Sequence, residues 1–217
     1  MVSYNKEYLV GKPVCEKEEI LTGDDYCIHK RELLRVELNK KGEKIASIIM
    51  MNPSKADSDQ SDTTVNKIIE MFHQLPQGQM GEDIIYLNIL NILPIYNSKS
   101  SDLLSDFERI IELKSENFMT EILDNNMSMI ESKIRESEYI ILAWGMPKQF
   151  TLPLYYTQVA KVLQMLDKSD EIYVLKAKHP TGDIEVLTKD YLNPPHPSRC
   201  EISGLVKVML QSHFRIK

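Results

Sequence analysis

The stretch Ile45-Ala46-Ser47-Ile48-Ile49-Met50-Met51-Asn52-Pro53-Ser54 decides how the chain is read. Apolar residues run without an internal Gly or Pro and stop abruptly at Asn-Pro-Ser. A run so short and so rich in β-branched residues reads as a buried strand rather than a helix. Pro53 has no backbone N–H to give to a ladder, so the chain must leave the sheet at Asn52. Asp62-Thr63-Thr64 follows, and then Val65, Ile68, Ile69 and Phe72 recur at helical spacing. Asp62 or Thr63 is suited to cap that helix. Strand, polar loop and helix in this order put Asn52, Ser54, Asp57 and Asp62 at the carboxyl edge of a sheet, where open α/β sheets bind ligands.

Working upstream, Leu34, Val36 and Leu38 alternate with Arg35, Glu37 and Asn39, the period of a half-exposed strand. Asn39-Lys40-Lys41-Gly42 is a turn signal, which predicts a hairpin of strands near 33–39 and 44–51. Residues 1–30 are mixed and polar, with breaks at Gly11, Pro13 and Gly23, and suggest no strong element. Downstream, Ile84 to Leu90 reads as a second buried strand. Leu103, Phe107, Ile110, Ile111, Phe118 and Ile122 mark a long amphipathic helix, and Met127, Ile130 and Ile134 a shorter one. Tyr139 to Gly145 is the third buried strand, Pro153 opens a helix, and Ile172 to Ala177 is the fourth strand. A loop-like segment, 178–200, leads to a closing helix near 201–213. The alternation predicts one domain over 1–217, with 1–30 poorly defined, a core over 31–200 and a closing helix over 201–217. Its class is α/β: three layers, α/β/α, around a mostly parallel sheet, with an N-terminal hairpin strand at the edge.

The 217 residues are 42% apolar, enough for an ordinary core. A net charge of −6 argues against a broad duplex-DNA footprint, though not against a small nucleotide or a local basic channel. Cys15, Cys27 and Cys200 cannot all pair, which points to a reducing compartment. Met1 is followed by charged residues, and no apolar run approaches the roughly 20 residues of a membrane span. A soluble cytoplasmic protein with no membrane partner is the expectation. Among Cys15, Cys27, His29 and Cys200 there is no Cys-x-x-Cys pair, and three thiols fall short of an iron–sulfur cluster, so no metal is expected. There is no phosphate-cradling Gly loop and no Gly-x-Ser-x-Gly elbow, and no cofactor is expected.

Four polar clusters fall at or near the ends of predicted parallel strands: Asn52-Pro53-Ser54, Asn88 with Asn91, Trp144-Gly145, and a late His-Pro segment. Parallel strands share one polarity, so these ends converge in space. Each cluster also has a plain structural reading. Asn52 and Pro53 suit a turn, Asp62 suits a helix cap, and Asn88 suits a buried amide satisfied by its neighbours. Trp144 suits the core, with Gly145 relieving a crowded strand end, and His196 a Pro-rich surface loop.

The blocks Met51 to Asp57, Asp62-Thr63-Thr64, Leu87-Asn88-Ile89, Ala143-Trp144-Gly145 and Leu187-Thr188-Lys189-Asp190 through His196-Pro197 resemble a bacterial and phage family, the domain of unknown function numbered 1643. The resemblance runs from about residue 31 to 200. It departs where Tyr191 stands in place of a glycine, where Ser198 follows His-Pro, and where 176–186 looks inserted. More remotely, Asn52-Pro53-Ser54, Asn88, Leu142-Ala143-Trp144-Gly145 and His196-Pro197-Ser198 look like the motifs of the uracil-DNA glycosylase superfamily. His179-Pro180-Thr181 is the rival to the last block.

That likeness implies a nucleobase site and an N-glycosidic hydrolase acting on single-stranded nucleic acid or a nucleotide derivative. Asn52 and Asp57 would position water, with Asp59 and Asp62 as other carboxylates. Asn88 would read the base edge, and His196 would stabilise the leaving base. Pro53, Ser54, Asp62, Trp144, Gly145 and Ser198 would line the site, and Lys55, Lys189 and Arg199 would contact phosphate. Because Asn52 cannot take a proton from water, a non-catalytic nucleotide-binding module stays open beside the hydrolase. A protein-interaction module with a protein partner stays open as well.

Overall fold

The computed structural model describes residues 2–39, 41–75, 83–97, 102–147, 150–166, 171–178, 184–185, 193–211 and 215–216. Four strands form a parallel centre: β3 (Lys44–Met50), β4 (Ile84–Asn91), β5 (Tyr139–Leu142) and β6 (Glu171–Lys178). β4 and β5 flank β3, and β6 lies outside β5. They are the four apolar runs of the sequence, and such runs need cover on both faces. They receive it. α1 (Thr63–Gln74) packs Val65, Ile68, Ile69 and Phe72 against Leu34, Ile48, Leu87 and Ile89 on one face. On the other face, α2 (Leu103–Leu113), α3 (Glu116–Glu136) and α4 (Leu152–Met165) join Ile49, Leu90, Ile140 and Leu142.

Antiparallel strands complete an eight-stranded sheet. β1 (Val14–Gly23) pairs with β2 (Tyr26–Glu37), and β2 pairs with β4. β8 (Glu201–Lys207) pairs along the edge of β6 away from β5, and the short β7 (Ile184–Glu185) pairs with Ala177 and Lys178 on the other edge. β9 (Leu210–Gln211) and β10 (Arg215–Ile216) form a separate two-stranded pair. Among the described residues, no helix is long and apolar enough to cross a membrane.

Four expectations need correction. First, residues 1–30 are not without structure, because β1 and the first part of β2 lie there. Their polar composition fits an edge hairpin with a wet face. Second, β2 and β3 are not a hairpin; β4 lies between them. The end of β2 and the start of β3 thus stand two strand spacings apart, about 10 Å. Gly42 to Lys44 pass hard against the start of β4, where Glu43 N and Lys44 N both donate to the Asp83 carbonyl at 3.0 and 2.9 Å. A Cβ on Gly42 would lie 2.3 Å from that oxygen. Gly42 is there for close approach, not for a tight turn. Third, the helix predicted from Leu103 to Ile122 breaks at Lys114. Ser115 caps the next helix, its Oγ accepting from Phe118 N at 3.1 Å. α3 then absorbs the segment read as a separate short helix. Fourth, residues 201–207 form β8, not a closing helix. The open edge of β6 offers that segment a full ladder, and Gly204 has φ +147, which no helix accepts.

Candidate functional site

β3 and β5 are neighbours, but the connections from their carboxyl ends leave in opposite directions. α1 carries the chain from β3 to β4, and α4 carries it from β5 to β6. That reversal opens a crevice above the sheet, the usual ligand position of such folds. A hollow of about 130 Å³ lies there. It is lined by Met50, Met51, Asn52, Ser54, Thr64, Asn97, His196, Ser198 and Arg199. Pockets for drug-sized ligands measure ~300–1,000 Å³, so this is room for a single small ring.

The Asn52 side is held by hydrogen bonds. Its Nδ2 donates to the carbonyl of Asn97 at 2.7 Å and of Pro53 at 3.3 Å. Facing two carbonyls fixes which end of the amide is NH2, so Oδ1 is left as an acceptor. Ser54 Oγ donates to Asp62 Oδ2. Asp62 Oδ1 caps α1, accepting from Thr64 N at 2.7 Å and Val65 N at 2.8 Å. Beneath this loop lies Arg31, fully buried. Its Nη1 donates to the Ala56 carbonyl at 2.6 Å and its Nη2 to Asn91 Oδ1 at 3.0 Å. Burial pulls the Arg31 pKa below its ordinary value.

The His196 side is held from two directions. Gly145 N donates to the Pro194 carbonyl at 2.9 Å, extending β5 toward the histidine. Lys67 Nζ, from α1, donates to the carbonyls of Pro197 and Cys200. Gly145 has φ +62, and a Cβ there would lie 2.8 Å from His196 Cβ. The histidine opens the 3-10 turn Pro197–Arg199. Its Nδ1 accepts from Ser198 N at 3.2 Å and lies 2.8 Å from Ser198 Oγ. A backbone N–H can only donate, so Nδ1 is unprotonated and the ring proton sits on Nε2. Burial pushes the imidazole pKa down to about 4, Arg199 adds to the shift, and Asp62 opposes it. At neutral pH the site therefore presents an uncharged N–H donor.

The residues read from the sequence separate into three groups. Asn52, Ser54, His196, Ser198 and Arg199 line one hollow, with Pro53, Asp62 and Gly145 directly behind it. Asn88, Asp57 and Trp144 do not line it. Asn88 lies three residues short of the end of β4, about 10 Å back along the strand. Its Oδ1 accepts from Arg35 Nε at 2.7 Å, and its Nδ2 donates to Ser47 Oγ at 3.1 Å and Glu136 Oε1 at 3.0 Å. Asp57 Oδ1 accepts from the backbone N–H groups of Asp59 and Gln60, and Oδ2 meets Lys17 Nζ at 3.4 Å. Burial alone would raise the Asp57 pKa; these partners reverse that and hold the carboxylate low. Trp144 is core, 1% exposed, and its indole N–H has no hydrogen-bond partner among the described residues. His179, the rival histidine, and Lys189 lie outside the described residues.

Thr64, Asn97 and the positioning Lys67 were not picked out from the sequence. Asn97 belongs to the Asn- and Ser-rich stretch after β4, a signal of composition only. Thr64 and Lys67 become site neighbours through the packing of α1 beside the late loop. No curated protein and no solved structure matches the chain. The model of one family, described as "Protein of unknown function (DUF1643)", matches residues 31–197, and the chain belongs to that family.

Proposed function

We propose that the hollow between β3 and β5 recognises a nucleobase, carried by single-stranded nucleic acid or by a nucleotide derivative. What carries the reading is the pairing of an Nε2–H donor on neutral His196 with the spare acceptor Oδ1 of Asn52 at one ring-sized hollow. A base edge in which a carbonyl adjoins a ring N–H needs that complement: a donor for its oxygen and an acceptor for its proton. Arg199 at the exposed rim suits a phosphate. The acidic net charge favours a small or single-stranded ligand over duplex. The order of motifs and the parallel centre also support a uracil-DNA glycosylase-like fold.

A second reading, N-glycosidic hydrolysis, is favoured by the same histidine. Water oxygen would bond to the anomeric carbon as the carbon–nitrogen bond breaks. The electron pair would pass to the base, whose oxygen His196 Nε2–H would stabilise. Asn52 Oδ1 would orient the water, whose proton would pass to Ser54 Oγ as that hydroxyl hands its own to Asp62. The described lining residues include no carboxylate, which favours binding over turnover.

Calorimetry with uracil, nucleoside monophosphates and uracil-containing single strands tests the proposal, with chromatography of the recovered ligand. Binding that falls at least tenfold in both Asn52→Ala and His196→Ala is expected. Free base in the eluate selects the hydrolase, and intact ligand selects the binding module. A folded protein that binds nothing in the panel overturns both.

A further inference from the structure

We propose a second site, for a Zn2+-class cation, on the outer face of the β1–β2 hairpin. Its ligands are Glu19, Cys27 and His29. Pairing places Glu19 directly opposite His29, and Cys27 two residues from His29 on the same strand. Residues two apart share a strand face, so all three side chains project together. Ile28 between them points into the core, which confirms that Cys27 and His29 face outward. Glu19 and Cys27 are exposed and His29 is half-buried.

The separations fit one ion. Cys27 Sγ lies 3.4 Å from Glu19 Oε2 and 3.6 Å from His29 Nδ1, and donor atoms from the three residues all lie within 4.8 Å of one another. Thiolate, imidazole and carboxylate at ordinary zinc distances stand about 3.5 Å apart at the corners of a tetrahedron. The donors are thus spaced for coordination with little rearrangement. Thiolate with imidazole selects zinc, cobalt or copper over calcium or magnesium. Three protein ligands leave the fourth corner open to water. On binding, the thiol proton, now directed at Glu19 Oε2, leaves to the buffer and the sulfur becomes the thiolate ligand. Thr22 Oγ1, 3.3 Å from Cys27 Sγ, is placed to donate to that thiolate. The sequence carries no close Cys-x-x-Cys motif for this site because one ligand comes from the neighbouring strand. The ion would clip β1 to β2.

The test uses the full chain, fully reduced, titrated with Co2+ and then Zn2+. One equivalent of Co2+ should give a near-ultraviolet thiolate-to-cobalt band and the visible bands of a four-coordinate site. Zn2+, which binds such ligands more tightly, should then remove both. Cys27→Ser should abolish the near-ultraviolet band. His29→Ala and Glu19→Gln should each weaken binding tenfold or more, and Cys15→Ser and Cys200→Ser should change nothing. None of the five residues is fully buried, and circular dichroism verifies the fold. A folded, reduced protein that gives no band at one equivalent, or a band that survives Cys27→Ser, overturns the site.

Discussion

Two polar regions of the sheet look alike in sequence and differ in what they have left to offer. Around Asn88, three neighbours take up the amide: Arg35, Ser47 and Glu136. Glu136 closes the cluster with ion pairs to Arg35 and Lys133. Nothing remains for a ligand. Around Asn52, the NH2 is spent on two carbonyls, yet Oδ1 is spare, and His196 keeps an Nε2–H. A buried amide with every bond made is structural, and one with capacity left beside a hollow is a candidate site. Residue type does not separate the two; Asn88 is fully buried and Asn52 half-buried, and the hydrogen-bond inventory shows which of them has capacity left.

The comparison breaks most sharply at Asn88. Asn88→Ala leaves Arg35 Nε, Ser47 Oγ and Glu136 Oε1 short of a partner and should cost about 3 kcal/mol in urea unfolding. Ligand affinity of the folded protein should stay within twofold. A stable variant that has lost its ligand would reverse the roles of the two regions.

The next effect is one of pH. The unfolded chain protonates His196 near 6.5, while the folded imidazole resists down to about 4. The folded state therefore binds fewer protons in that window. The contribution is complete above pH 6.5 and lost as pH falls toward 4. With a discount for partial exposure, the loss is about 2 kcal/mol. It is read as the difference between the native chain and His196→Ala in paired urea melts at pH 7 and pH 4. Equal pH slopes in the two would mean that the ring is not held neutral.

Smaller again is Gly145→Ala. Alanine at φ +62 carries a penalty of about 1 kcal/mol. The added Cβ also meets His196 Cβ, so on the proposed nucleobase reading affinity should fall tenfold or more in calorimetry. Unchanged affinity would show that the histidine is not set by its contact with β5. The smallest effect is expected of Ser198→Ala. The backbone N–H still holds Nδ1, so stability should change by roughly 0.5 kcal/mol or less, and the Nε2–H tautomer should persist by nitrogen NMR.

What was legible followed from local rules. Four continuous apolar runs marked the parallel strands, and Asp62 marked the start of α1. The shared polarity of those strands brought Asn52, Ser54, His196, Ser198 and Arg199 to one edge although nearly 150 residues separate them. The hairpin at 33–51 misread Gly42, because a glycine needed for close approach and one needed for a turn are the same letter. Asn88 was misplaced by its distance from the strand end, which a motif does not encode. The sequence suggests Asp57 as a water-positioning carboxylate because a carboxylate in a loop does not announce that backbone N–H groups already hold it.

By itself, then, the sequence determined the class of fold, the central strands and the edge at which Asn52 and His196 gather. Period and apolar content are properties of neighbours along the chain. Tertiary structure alone decided the rest. It inserted β4 between β2 and β3, turned residues 201–207 into a strand against the open edge of β6, and set Glu19 across from Cys27 and His29. It also decided which polar groups have spent their hydrogen bonds. Such facts depend on partners distant in sequence, and pairing across space is not written in any local pattern.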